Sequence, residues 1–389
     1  MNAPARTDFP RFSTIEDAIG TLKPVDPVYC LFPDKFRIAA KRILDGFPGD
    51  ALYAVKANPN PRVLDQIWAA GVRHFDTASL GEIKIVRSRL PEAICHFMAP
   101  VRLMGHAKAA FEDFGVTDYV VDCDFELDKL IAETGAPEKL RIFVRLSTQF
   151  GGALLELASK FGTQPTEAVR LLKRVAELGA APCLTFHVGS QCLSAFSYAQ
   201  AIEKARRTIS ESGLKIAALD IGGGFPAPDA NNAAPSPSIW YFDTIREALA
   251  TLERDDLNVL CEPGRALCSE GLSLITQVVL RKGDRLYIND GIYGSFDELT
   301  MPGFDVDYPV RTFRVDAGGQ AVALQGDQTE FRIYGPTCDT LDALPRPRTL
   351  PQTITAGDYI VFDAMGAYSV AARSDFNGYY PDTWAQIGE

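Results

Sequence analysis

The sequence predicts an α/β protein: a (β/α)8 TIM barrel followed by a second, mostly β C-terminal domain. Three observations carry that prediction. Short apolar runs alternate with segments of helical spacing through the first two thirds of the chain. There are eight such runs, the count that closes a barrel. After Arg265 the helical periodicity fades, and β-rich runs separated by Gly, Pro and Asp take over.

In chain order the runs are ALYAV (51–55), VRHFD (72–76), ICHFM (94–98), DYVVD (118–122), RIFVRL (141–146), CLTFHV (183–188), AALDI (217–221) and NVLCE (258–262). The first of them is apolar on both faces, as a strand covered by helices must be. Between them PRVLDQIWAAG, SLGEIKIVRSRL, PTEAVRLLKRVAELG and YFDTIREALATLER place apolar residues at helical spacing. A doubly wound open sheet shares the alternation, but the regularity of the units favours closure. Beyond the barrel, SLITQVVL, RLYIND, ALQGDQ, FRIYG and DYIVFD read as strands. The Pro-rich segments 226–238 and 345–351 read as surface loops. The barrel is expected over 32–270, with 1–31 and 271–389 forming the β-domain.

The 389 residues, 47% apolar and 23% charged, describe an ordinary soluble globular chain with room for two domains. A net charge of −11 argues against nucleic-acid and membrane partners and leaves room for a cationic small molecule. No apolar stretch is long enough to span a bilayer, and the N-terminus lacks the order of a secretory signal, so the expected location is cytoplasmic. Eight cysteines (30, 95, 123, 183, 192, 261, 268 and 338) show no CxxC pair and no spacing suited to zinc, so no metal is expected. They read as reduced thiols, seven of them packing groups, with Cys338 set apart in a Gly-Pro-Thr turn.

In a barrel, functional groups gather at the C-terminal ends of the strands. Lys56, Asp76, Arg145, His187, the turn Gly222-Gly223-Gly224 and Glu262 all fall there. Each also has a plain reading. Lys56 is either a lysine snorkelling into solvent or an amine held in a partly desolvated pocket, ready to form a Schiff base. The three glycines are a tight turn or a phosphate cradle, and GGGFPAP does not have dinucleotide-fold spacing. His187 is a satisfied core histidine or a ring facing a pocket beside Ser190. Glu262-Pro263-Gly264-Arg265 is a surface ion pair or a carboxylate for a ring nitrogen next to a guanidinium for a phosphate.

Seven motifs in order, YAVKANPNP, FDTAS, HVGSQ, DIGGGFP, CEPGRAL, YGPTCDTLD and GAYS, resemble the fold-type III pyridoxal 5'-phosphate (PLP)-dependent decarboxylases of the ornithine, lysine and diaminopimelate group. The match runs from the fifties to the C-terminus and comes nearest the ornithine enzymes. The resemblance implies that Lys56 carries PLP, that His187 stacks on its ring and that Glu262 bonds the pyridine nitrogen. Ser190, Gly224, Arg265 and Tyr368 would hold the phosphate. Gly223 and Gly264 belong to the same cofactor turns, and Asp76, Arg145 and Asn58 match positions around the cofactor. Cys338 would protonate Cα in a homodimer whose active sites lie at the subunit interface.

For the substrate, a small basic amino acid, Asp339 would pair with a distal ammonium, with Tyr293, Asp297 and Phe376 around it. The eukaryotic ornithine enzymes carry a further aspartate where this chain has Pro302, and Asp297, Asp305 and Asp307 are candidates to replace it. Arg311 and Arg332 are the unplaced cations that a diaminopimelate carboxylate would need. The expected activity is decarboxylation of L-ornithine to putrescine, a step of polyamine biosynthesis. The alternatives are lysine or meso-diaminopimelate decarboxylation, an amino acid racemase, and a catalytically inactive regulatory homologue. A carboxylate rather than an arginine at the ring nitrogen argues against the racemase.

Overall fold

The computed structural model describes residues 9–148, 153–155, 160–227, 239–303 and 305–388. The described residues form two units, one from Ala40 to Leu267 and one that joins the residues up to Ala39 to those from Cys268 onward.

The first unit holds a closed barrel of eight parallel strands. They are Asp50–Ala54, His74–Thr77, Ile94–Phe97, Asp118–Val121, Arg141–Leu146, Ala181–Phe186, Ala218–Asp220 and Asn258–Cys261. All eight apolar runs are therefore strands, arranged around the barrel in chain order. Closure is made by the eighth strand on the first, with Leu260 opposite Asp50 and Cys261 opposite Ala51. Leu52, Met98, Val120, Phe143, Cys183, Ala218 and Leu260 pack into one buried cluster. The larger of these side chains each contribute roughly 1.5–3 kcal/mol by leaving water. Helix starts follow local chemistry: Asn60 accepts from the Arg62 N–H with Pro61 in the first turn, and Ser79 accepts from the Glu82 N–H.

The second unit is built on a ten-stranded sheet. Its long strand Leu272–Lys282 pairs with Val28–Leu31 and Tyr359–Phe362, so that Leu274 faces both Tyr29 and Phe362. Thr383–Ile387 runs parallel to Val28–Leu31 on that strand's other side. Ile15, Ile19, Val28, Ile275, Phe313 and Val361 share one core, which ties the first helix to the C-terminal sheet.

Three expectations need correction. ALQGDQ is not a strand: only its end residues join strands, and Leu324–Asp327 connects Ala321–Ala323 to Gln328–Tyr334. The segment 345–351 is not wholly a loop, because Arg348–Pro351 pairs with Gln328–Phe331 and Arg348 is buried against Asp307. Cys123 is exposed and packs nothing away. Of the predicted loop 226–238, residues 228–238 lie outside the described residues. Among the described residues no helix is long and apolar enough to cross a membrane.

Candidate active site

The first barrel strand stops at Ala54, and Val55–Ala57 makes one 3-10 turn. The Ala54 N–H donates to the Pro263 carbonyl at 3.2 Å, tying this turn to the Glu262-Pro263-Gly264 segment. Val55 and Ala57 are buried, while the side chain of Lys56 is 44% exposed. Lys56 therefore rises from the turn with its side chain partly withdrawn from water. Its Nζ is 3.2 Å from Oδ2 of Asp76, whose side chain is 3% exposed. Register explains the pairing, since Ala54 lies opposite Asp76 on the second strand. Asn58 serves the backbone here: its Oδ1 accepts the Asn60 N–H at 3.1 Å.

The sequence reading missed Glu82. It accepts the Ala78 N–H at 2.7 Å, and burial pushes its carboxyl up to about 7 against that hydrogen bond, with Asp76 raising it and Lys56 lowering it. The signal available was the Ser79-x-x-Glu82 capping pattern, which reads as helix chemistry alone.

The glycine turn closes the far side of the mouth. Gly222 (φ 69°) and Gly224 (φ 99°) occupy the left-handed region, and a Cβ on them would overlap the Phe186 and Gly189 carbonyls respectively. A Cβ at Gly223 would overlap the Glu262 carbonyl and come within 3.2 Å of His187 Nε2. Only glycine lets the backbone come this close. The His187 ring is fixed by the Gly189 N–H, which donates to Nδ1 at 3.0 Å and leaves the proton on Nε2. Burial, then the charges of Arg145 and Lys56, hold His187 well below its ordinary pKa. The ring is neutral, flat and suited to stacking.

Glu262 follows the eighth strand, and its N–H donates to the Gly222 carbonyl at 2.9 Å. Burial, then Asp220 and Asp76, push its carboxyl well above the usual range, with Lys56 opposing. Asp220, at the end of the seventh strand, is its hydrogen-bonded neighbour and was passed over in the sequence reading. Arg265 is buried at the start of the short helix Arg265–Cys268. Gly264 packs against Ala57 and Ala54, where a Cβ would sit 3.0 and 3.2 Å from theirs. Ser190 opens the short strand Ser190–Cys192.

These residues fit PLP. An amine, a neutral ring able to stack, a buried carboxyl suited to a ring nitrogen, a glycine cradle and a buried guanidinium all follow the ends of barrel strands. Tyr368 belongs to the other unit, where it caps Ser369–Ala372 with φ 58°. A non-glycine residue in the left-handed region is a strained conformation that clusters at functional sites.

In the sheet unit, Cys338 and Asp339 line a cavity of about 1010 Å³. Cys338 is exposed, and its N–H donates to Asn377 Oδ1 at 3.1 Å. Asp339 accepts from the Leu341 N–H at 2.9 Å and the Tyr293 hydroxyl at 2.6 Å, and these two bonds hold it below the ordinary carboxylate value. The Tyr293 and Phe376 rings lie 4.5 Å apart, so Tyr293, Asp339 and Phe376 form one cluster. Asp297 begins the separate turn Asp297–Thr300, which packs beside the helix after Tyr368. Asp342, also missed, organises the loop: its carboxylate accepts the Ile292 N–H, the Thr337 N–H and the Thr337 hydroxyl at 3.0, 3.0 and 2.7 Å.

Comparison with known proteins agrees with this geometry. Residues 34–269 match the family described as pyridoxal-dependent decarboxylase, pyridoxal binding domain. The chain is 33% identical over 337 residues to the lysine/ornithine decarboxylase of Selenomonas ruminantium, covering 84% of this chain and 81% of that one. It is 33% identical over 342 residues to the ornithine decarboxylase of Schizosaccharomyces pombe, covering 84% and 75%. The crystal structure of the Vibrio vulnificus lysine/ornithine decarboxylase complexed with putrescine aligns at TM-score 0.80 and 29% identity, over 96% of both chains.

Proposed function

The chain belongs to the fold-type III PLP-dependent decarboxylases, and from that premise we propose that it decarboxylates L-ornithine to putrescine as a homodimer. Lysine stands next, ahead of diaminopimelate, arginine and carboxylated polyamines. The observation that carries the reading is the anionic Asp339 beside exposed Cys338, walled by Tyr293 and Phe376. An ionised carboxylate against aromatic rings suits an ammonium at the end of a short alkyl chain.

Elimination narrows the other acids. Asp305 is paired to Arg346 and Asp307 to Arg348, so their charge is already met within the chain. Among the described residues Asp297 is in no such ion pair, and burial followed by Glu298 raises its pKa, which a substrate ammonium would reverse. Arg311 is held by Asp363 at 2.8 and 2.9 Å, which removes one candidate for a diaminopimelate carboxylate.

Each residue then has a task. The glycine turn, Ser190 and Arg265 would bind the cofactor phosphate, and His187 would stack on the ring. Lys56 would hold the cofactor, and Asp76, 3.2 Å from its Nζ, would take up the lysine charge. PLP supplies a sink for the electron pair left on Cα when carbon dioxide departs. Glu262 holds the ring-nitrogen proton, and the Cys338 thiol delivers a proton to Cα.

The test is a panel of ornithine, lysine, meso-diaminopimelate and arginine, with carbon dioxide measured and amine products identified by mass. One methylene separates ornithine from lysine, worth about 10- to 200-fold in kcat/KM in an apolar pocket. Putrescine is expected to dominate; dominance of cadaverine or agmatine sinks the substrate assignment and leaves the family intact.

A further inference from the structure

The strand Ala218–Asp220 ends in a carboxylate with no assigned task. Asp220 is fully buried. Its Oδ1 accepts the Gly222 N–H at 2.9 Å and its Oδ2 accepts the Thr185 hydroxyl at 2.8 Å. On the neighbouring strand Leu260 lies opposite Asp220, two residues before Glu262, and this register brings the Glu262 carboxyl to Asp220 as its further partner. Among the described residues neither carboxyl has a lysine or arginine in ion-pair contact. Two carboxylates cannot both face each other as anions in a dry site, so their hydrogen bond requires a proton between them.

We infer that Asp220 is a positioning residue acting through Glu262: the two share one proton, and its location decides how Glu262 meets the cofactor ring nitrogen. With the proton on Asp220, its O–H donates to Glu262, which stays anionic and accepts the hydrogen of a protonated ring nitrogen. With the proton on Glu262, that O–H is what the ring nitrogen meets, and the ring loses its positive charge. The first arrangement makes the better electron sink. The exchange moves one proton between the two carboxyl groups, and the ring nitrogen draws its own proton from solvent on loading.

The surroundings favour this division. Burial pushes Asp220 up to about 6, opposed by its bonds to Glu262, Gly222 and Thr185, and burial also pushes Glu262 well above the usual carboxylate range. A positive ring nitrogen over Glu262 favours the proton on Asp220. The charged groups facing the pair are Asp76 and Lys56, with the buried Cys261 thiol alongside. The inference rests on the family's cofactor and not on which amino acid is decarboxylated.

Infrared spectra of the full chain stripped of cofactor need no substrate. The carbonyl band of a neutral carboxylic acid is expected in the wild type, lost in Glu262→Gln and titrating away at lower pH in Asp220→Asn. A band unmoved by Asp220→Asn overturns the inference. In the loaded enzyme, Asp220→Ala is expected to lower kcat about 10- to 100-fold, the worth of one charge-assisted hydrogen bond. Asp220→Asn, whose amide always donates, should keep kcat within about tenfold and lose the alkaline limb of the pH profile. If both variants fall equally with that limb in place, Asp220 is only structural. Should Asp220→Asn fail to fold, Thr185→Val removes one hydrogen bond to the Asp220 anion and should move the limb to higher pH; an unmoved limb overturns the inference.

Discussion

Asp342 shows how much of the Cys338 loop depends on one buried side chain. Its carboxylate gathers the Ile292 N–H, the Thr337 N–H and the Thr337 hydroxyl, and Gly291 and Gly335 lack side chains where a Cβ would overlap it. Replacing Asp342 with alanine strands these donors, and a loss of about 2–4 kcal/mol is expected in urea unfolding. Cofactor loading at Lys56, followed by its visible absorbance, should survive, while turnover falls because Cys338 and Asp339 lose their footing. Unchanged stability would show that water replaces the carboxylate without cost. The placement of Lys56, His187, Glu262 and Cys338 at strand ends or turns was legible in the sequence because each stands inside a recognisable motif. Asp220, Glu82 and Asp342 were not. Asp220 and Asp342 work through groups far along the chain, such as Glu262 and Ile292, and no local pattern announces such a pairing. The same reason hid the fates of Asp305 and Asp307, which only the ion pairs to Arg346 and Arg348 decide.

At the level of elements, the barrel was readable because parallel strands buried on both faces are written as continuous apolar runs. The sheet unit was harder. Val310–Val315 reads VRTFRV, with charges interleaved, and Arg348–Pro351 is flanked by prolines. What the strand pattern also hid is a polar belt at the barrel's N-terminal end. His74 Nδ1 lies 2.9 Å from His96 Nε2, and His96 Nδ1 lies 2.6 Å from Asp118 Oδ2. Arg141 Nε donates to Asp118 at 2.8 Å and its NH1 to Asn258 at 2.9 Å, and Asn258 donates to Asp50 at 3.1 Å. This chain of bonds joins six of the eight strands. Burial, then the neighbouring His96, lowers the His74 pKa, with Asp50 and Asp118 opposing and Arg141 reinforcing. A base with a depressed folded pKa binds protons more readily when unfolded. Its contribution is therefore present above the ordinary histidine value of about 6.5 and is lost as pH falls below it. Urea midpoints measured from about pH 8 to about pH 5 should decline in the wild type and decline less in His74→Gln. Equal slopes in the two proteins would place the acid sensitivity elsewhere.

Across the whole molecule, the chemistry is divided between the two units. The proposed cofactor residues Lys56, His187, Glu262 and Arg265 belong to the barrel unit, whereas the proposed catalytic Cys338 and substrate-binding Asp339 belong to the sheet unit. The Cys338 thiol is exposed on its own unit and lines a cavity of about 1010 Å³ made entirely by that unit. A proton donor left open to solvent serves a reaction poorly unless something covers it, because turnover is cleaner where water is excluded. The proposed homodimer supplies that cover if the Cys338 loop of one chain completes the barrel of the other. In the proposed mechanism Lys56→Ala removes the cofactor's attachment and Cys338→Ala removes the proton donor, so each variant alone should lose about 100-fold or more in turnover. Mixed, unfolded and refolded together, they should regain activity, because some dimers then hold one barrel with its lysine facing a loop with its cysteine. The regained activity should fall on dilution, as an assembly governed by mass action must. Sedimentation of the wild type should give twice the 42.5 kDa chain mass. A mixture as inactive as its parents, from protein that sediments as a dimer, would mean that each chain's own loop serves its own barrel. A monomer that turns over ornithine at full rate would remove the partner subunit from the mechanism altogether.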